Sequence, residues 1–154
     1  MSTNKKKKKQ KEEKVSIDDI LSVITGETLV EEKLEKVHAV LKDLLEMNTD
    51  IKGAMLVSIE GFPIACHPPE IFREEAKVAA AIAAIFATSE RNALDLVDEH
   101  VSYVAIKTFN RYIILKLAAE DYIIAVITDE KARLGILLRD IGKATSRIKD
   151  ILAM

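Results

Sequence analysis

From residue 76 to residue 87 every position except Lys77 is apolar, and seven of the twelve are alanine. No glycine or proline interrupts residues 73–97, so the stretch reads as one long helix. A helix lying on a single sheet needs only an apolar stripe. One that is apolar nearly all round must be covered on more than one side, and small side chains let the covering helix approach closely. A layered domain built from 154 residues has few places to surround a helix. Economy points to a second copy of the chain, the two helices lying side by side.

The length suits one domain plus a short appendage, large enough to bury a core without disulfides or metal staples. Cys66 is the only cysteine, which excludes an internal disulfide and suits a reducing compartment. The longest wholly apolar run, residues 78–87, has ten residues, against about 20 for a membrane span. Lysines open the chain with no apolar segment behind them, unlike a secretory signal. A cytoplasmic protein is expected.

Charge is unevenly placed. Residues 1–14 hold seven lysines and two glutamates, and the remainder holds 16 basic and 23 acidic residues. The body is therefore acidic and the start basic. Residues 1–14, with nothing to bury before Val15, read as a disordered, lysine-rich, solubilising tail. Any attraction of this tail to an anionic membrane or RNA is weak and unspecific, and no specific nucleic acid is expected.

Residues 15–26 read as a short amphipathic helix. Ser16 caps it, Asp18 and Asp19 favour its N-terminal dipole end, and Ile17, Ile20, Leu21 and Ile24 share one face. Gly26 is placed to stop it, and its stripe is expected to pack on the body. The domain proper spans 28–154. Thr28 and Glu31 form a capping box, ahead of a stripe through Val30, Leu34, Val37, Leu41, Leu44 and Leu45. Residues 51–59 and 62–65 read as a hairpin turning at Glu60-Gly61, with Pro63 confining the second strand to a sheet edge. After the long helix come strands at 101–108, 112–117 and 122–128. The continuously apolar 123–127 marks a central strand covered on both faces. Asp129 is placed to cap a closing helix, on which Gly135 and Gly142 suggest a close helix contact.

The expected fold is therefore of the α/β kind, an α+β sandwich of order α-ββ-α-βββ-α. Its single five-stranded antiparallel sheet has the long middle helix on one face and the first and last helices on the other.

Catalytic machinery is not visible. The five glycines are scattered and form no phosphate loop. No nucleophile elbow or triad order is present, and Cys66-His67 has no further cysteine to complete a thiolate metal site. His38 reads as a surface or core-edge residue. No catalytic residue, cofactor or metal is expected, and the chain is not expected to be an enzyme.

Two strings carry a resemblance. Residues 53–57 (Gly-Ala-Met-Leu-Val) followed by 60–65 (Glu-Gly-Phe-Pro-Ile-Ala) resemble the first hairpin of the roadblock (dynein light chain) family. Residues 128–130 with 134–138 resemble that family's last strand and closing helix. The resemblance covers about residues 28–152. It implies a dimer, homomeric or with a roadblock paralogue, joined at the edge strand 101–108 with the long helices alongside. The implied interface is Ala76, Ala80, Ala83, Ala84, Ala87, Val101, Tyr103, Ala105 and Lys107, or the alternates of the strand residues. It also implies a regulator or platform for a Ras-like small GTPase. The alternative is a structural adaptor for a paralogue or a motor or complex subunit that leaves nucleotide turnover unchanged. No GTPase-contact residue can be carried over.

Overall fold

A computed structural model describes residues 2–154, and for residues 2–16, 22 and 24 it describes the backbone alone. The chain divides into two compact units, residues 1–33 and 34–154. Helix α1 (Ser2–Met47) is followed by β1 (Ile51–Ser58), β2 (Pro63–His67), a 3₁₀ turn (Pro69–Ile71) and α2 (Glu75–Val97). Then come β3 (Val104–Lys107), β4 (Tyr112–Ala119), β5 (Tyr122–Thr128) and α3 (Leu134–Leu152).

In the larger unit the strands form one sheet in the order β2-β1-β5-β4-β3, every pairing antiparallel. The apolar β5 lies at the centre and the proline-bearing β2 at an edge, as the sequence pattern requires. Successive strand residues point to opposite faces, and the core divides accordingly. Ala54, Leu56, Ile124 and Val126 pack with Val37, Leu41 and Leu44 of α1 and Leu137, Ile141 and Ile148 of α3. Met55, Val57, Ile123 and Ala125 pack with Ala79, Ile82 and Phe86 of α2.

Two glycines allow close approach. A Cβ on Gly53 would lie 3.0 Å from the Phe72 ring, so the absent side chain makes room for a buried aromatic. Gly61 has φ +98, a turn conformation natural only to glycine, and its Cβ would lie 3.3 Å from Ala80 Cα. Part of the alanine run on α2 thus admits the β1–β2 turn.

Three local expectations differ from the structure. Helix α1 runs through Gly26 and Thr28. One interior glycine costs about 1 kcal/mol, and the flanking residues are good helix formers. Asp129 does not cap α3, which begins at Leu134 after an extended Arg133. Its Oδ1 instead accepts the Lys131 N–H at 2.9 Å, closing a turn too early for a helix start. Gly135 and Gly142 make no close contact, since a Cβ at either would meet nothing within 4 Å. In the smaller unit Ile17, Ile20 and Leu21 are exposed. The tail expected to be disordered over 1–14 has its side chains outside the described residues, and its backbone from Ser2 belongs to α1.

A buried polar link ties α1 to α3. Asn48 Nδ2 donates to Asp140 Oδ2 at 2.9 Å, and Asn48 Oδ1 accepts the Asp50 N–H at 3.1 Å. Asp140 is 2% exposed, with Arg139 Nε at 3.3 Å from its other oxygen. Removing one partner of a buried charge leaves it desolvated without compensation. Asn48→Ala should therefore destabilise the fold by about 1–3 kcal/mol, read as a lower denaturant midpoint at unchanged slope.

Candidate partner-docking site

The surface expected to meet a partner is built on β3 and α2. Among the described residues, strand β3 occupies one edge of the sheet and pairs with β4 alone, from Val104↔Leu115 to Lys107↔Tyr112. It is shorter than the 101–108 expected, and the cause is a side chain eleven residues before Val101. Glu90, on α2, accepts the Val101 N–H on Oε2 at 3.0 Å, and its Oε1 meets His100 Nδ1. The backbone ahead of β3 is thus bonded to the helix rather than to β4, and Val101 packs into the core on the α2 side.

The α2 C-terminus prepares this turn. Asp98 adopts a left-handed φ of 56 and its N–H donates to Leu94 C=O, reversing the chain toward Glu90. The bond to Val101 first, and then that to His100, holds the Glu90 carboxyl below the ordinary carboxylate range.

The predicted interface residues do not all come together. On β3, Ala105 pairs with Ile114 and Lys107 with Tyr112, whose side chains belong to the α1/α3 face. Val104 belongs to the α2 face, and Ile106 shares it by alternation. Tyr103, Ala105 and Lys107 are exposed, whereas Val101 is half-buried. Lys107 Nζ lies 5.0 Å from the Tyr112 ring centroid, and Phe109, in the turn after β3, is fully exposed. The edge is therefore apolar beyond its own strand.

On α2, Ala76, Ala80, Ala84 and Ala87 are exposed and Ala83 is buried. The four exposed alanines share one helical flank, and Ala80 lies against Gly61 of the β1–β2 turn, remote from β3. The opposite flank carries Val78, Ala81 and Ile85. Val78 packs with the core group that holds Val101 and Val104, and Ile85 is exposed. Sequence periodicity could not select between these flanks, because a run that is apolar all round has no phase. The role of Glu90 carries no sequence signal, since it stands among other charged residues of a helix.

An apolar groove follows the alanine flank of α2, between Ala83, Phe86, Ala87 and Leu94 of the helix, Ile59 just past β1, and Leu117 and Ile123 of the sheet. Glu90, Arg91 and Glu120 supply its polar groups.

Cys66 Sγ donates to Glu75 Oε1 at 3.3 Å. Burial first, and then the neighbouring carboxylate, push the thiol up to about 11, which leaves little nucleophilic thiolate at neutral pH. Among the described residues no cluster of histidine, cysteine or carboxylate side chains could hold a metal, and no helix is long and apolar enough to cross a membrane.

The sequence pattern of the Roadblock/LC7 domain matches residues 36–128, which includes the whole sheet. The chain belongs to the Roadblock/LC7 family. Solved structures agree on the fold. The Roadblock/LC7 domain from Streptomyces avermitilis superposes with a TM-score of 0.69 at 15% identity, covering 76% of this chain and 98% of that one. Myxococcus xanthus MglB gives 0.71 at 18% identity, covering 78% and 90%. The gliding protein MglB from Thermus thermophilus gives 0.68 at 20% identity, covering 77% and 90%. No curated protein sequence matches the chain. The roadblock match leaves α3 and residues 1–35 outside its span.

Two measurements check this local chemistry. A carboxylate held below its ordinary value stabilises above about pH 4.3 and loses that contribution as pH falls through the lowered value. Protection of the Val101 amide against hydrogen exchange, corrected for intrinsic rate, should stay level from about pH 7 to 5 and fall only below about pH 4. Glu90→Gln should remove that step. Cys66 should alkylate slowly at pH 8, and Glu75→Gln should speed it by lowering the thiol pKa toward the ordinary value.

Proposed function

We propose that this roadblock protein forms a dimer through the β3 edge and the adjoining flank of α2, and that the dimer is a non-catalytic platform regulating a Ras-like small GTPase. The observation that carries the dimer is the state of β3. It is an edge strand with unpaired backbone groups on one side, which natural sheets cover or pair. It has no proline or glycine to blunt it, and Ala81 and Ile85 stand exposed on the neighbouring helix. A two-fold axis beside β3 continues the sheet and buries both features in one isologous contact.

The GTPase reading rests on family membership and on the surface chemistry. Such a platform acts by contact area and needs no reacting group, and a ligand shifts an equilibrium only by its differential affinity for two states. The groove along the alanine flank of α2, lined by Glu90 and Leu117, is the face offered to the GTPase partner. A regulator requires tighter binding to one nucleotide state, whereas a tether for a paralogue or complex subunit does not.

Ile85→Glu is expected to reduce the mass contributed by this contact from two chains to one in light scattering, with helix content kept, because it places a charge in a closely packed apolar join. Calorimetric titration of the full chain into a Ras-like GTPase from the same genome, loaded with GDP or with a non-hydrolysable GTP analogue, tests the second part. Tighter binding to one state, at two chains per GTPase, is the expected result. Equal affinity for both states would replace the regulator with a tether, and no binding in either state would end the GTPase reading.

A further inference from the structure

Helix α1 changes character along its length. Val37, Leu41 and Leu44 are buried, whereas Ile17, Ile20, Leu21, Val23 and Val30 are each more than half exposed. Ile17, Ile20 and Leu21 share one flank of the helix, an apolar patch that no described side chain of its own unit covers. The sequence around them is arranged in blocks. Seven lysines and two glutamates stand in residues 1–14, and five acids against one lysine stand in residues 15–33.

We propose that the helix of residues 2–33 pairs antiparallel with the same helix of a second copy. A segment that is basic at one end, apolar in the middle and acidic at the other is complementary to itself only when reversed. A two-fold axis near Ile20 and Leu21 joins the apolar stretches and brings the lysine block of each helix alongside Glu27, Glu31 and Glu32 of the other. Parallel pairing would set lysine block against lysine block, at a cost in repulsion. The same pattern disfavours an anionic lipid surface. Helices that lie on membranes carry their basic residues beside the apolar face, whereas here Asp18, Asp19, Glu27, Glu31 and Glu32 accompany the apolar residues and the lysines stand apart.

This pairing uses neither β3 nor α2, so it stands independently of the proposed platform and would link one such dimer to the next. The test uses the full chain with Cys66→Ser, so that introduced thiols are the only ones. Antiparallel pairing sets the two Leu21 positions side by side and the two positions of Thr28, on the same flank, roughly 21 Å apart, at 1.5 Å rise per residue. Under mild oxidation Leu21→Cys should form intermolecular disulfides about tenfold faster than Thr28→Cys, or more, because only paired thiols share a high effective concentration. High salt should slow the reaction by screening the charged blocks. Adding Ile85→Glu should leave the Leu21→Cys cross-link intact, so failure of this pairing and failure of the β3 dimer are read separately. Equal rates at both positions would overturn the proposal, as would no cross-link at either. Cross-linking of Leu21→Cys only on vesicles containing phosphatidylserine would overturn it in favour of a membrane surface.

Discussion

Strand β5 has no polar face, and the rest of the domain is arranged around that fact. Ile123 and Ala125 point one way, Ile124 and Val126 the other, and all four are buried. A strand of this kind cannot lie at an edge or on a one-sided sheet, so it requires a neighbour on each side and a helical layer on each face. Strands β1 and β4 take the two flanks along most of its length. Helix α2 supplies one layer, and the last turns of α1 together with α3 supply the other. The edges fall to β2, shortened and carrying proline, and to β3, of only four residues.

The two layers differ in how they are held. On the α1/α3 side the packing is aliphatic and is pinned by one buried polar bond, Asn48 to Asp140, which sets where α1 ends relative to the middle of α3. On the α2 side alanine keeps the helix close, and glycine at 53 and 61 removes the side chains that would hold Phe72 and Ala80 away. One face is thus specified by a directional bond and the other by the absence of atoms. Only the second leaves a helix with apolar surface on both flanks.

Much of this architecture was legible because it follows from periodicity and from residues with few conformational options. The continuous apolar run of β5 marked the centre, Pro63 marked an edge, and Glu60-Gly61 marked the tight turn. Features that depend on a contact distant in sequence were not legible. The true start of β3 is set by Glu90, and nothing in residues 98–103 announces a carboxylate waiting on the preceding helix. Gly26 and Asp129 misled for a related reason. Each has a strong local preference worth about 1 kcal/mol, and neighbouring backbone bonds outweigh preferences of that size. The alanine run showed that α2 had more apolar surface than one sheet needs, yet it could not show which flank stood nearest β3.

The brevity of β3 also bears on solubility. A long flat edge invites any extended chain to add itself, which is the first step toward fibrils. By bonding the Val101 N–H to α2, the Glu90 carboxylate leaves only four residues of pairing edge, too few for a stray strand to gain much from backbone bonds alone. A partner that also brings a helix to lie against α2 gains considerably more. The short edge therefore filters its visitors, admitting a correctly folded counterpart and offering an unfolded chain little foothold.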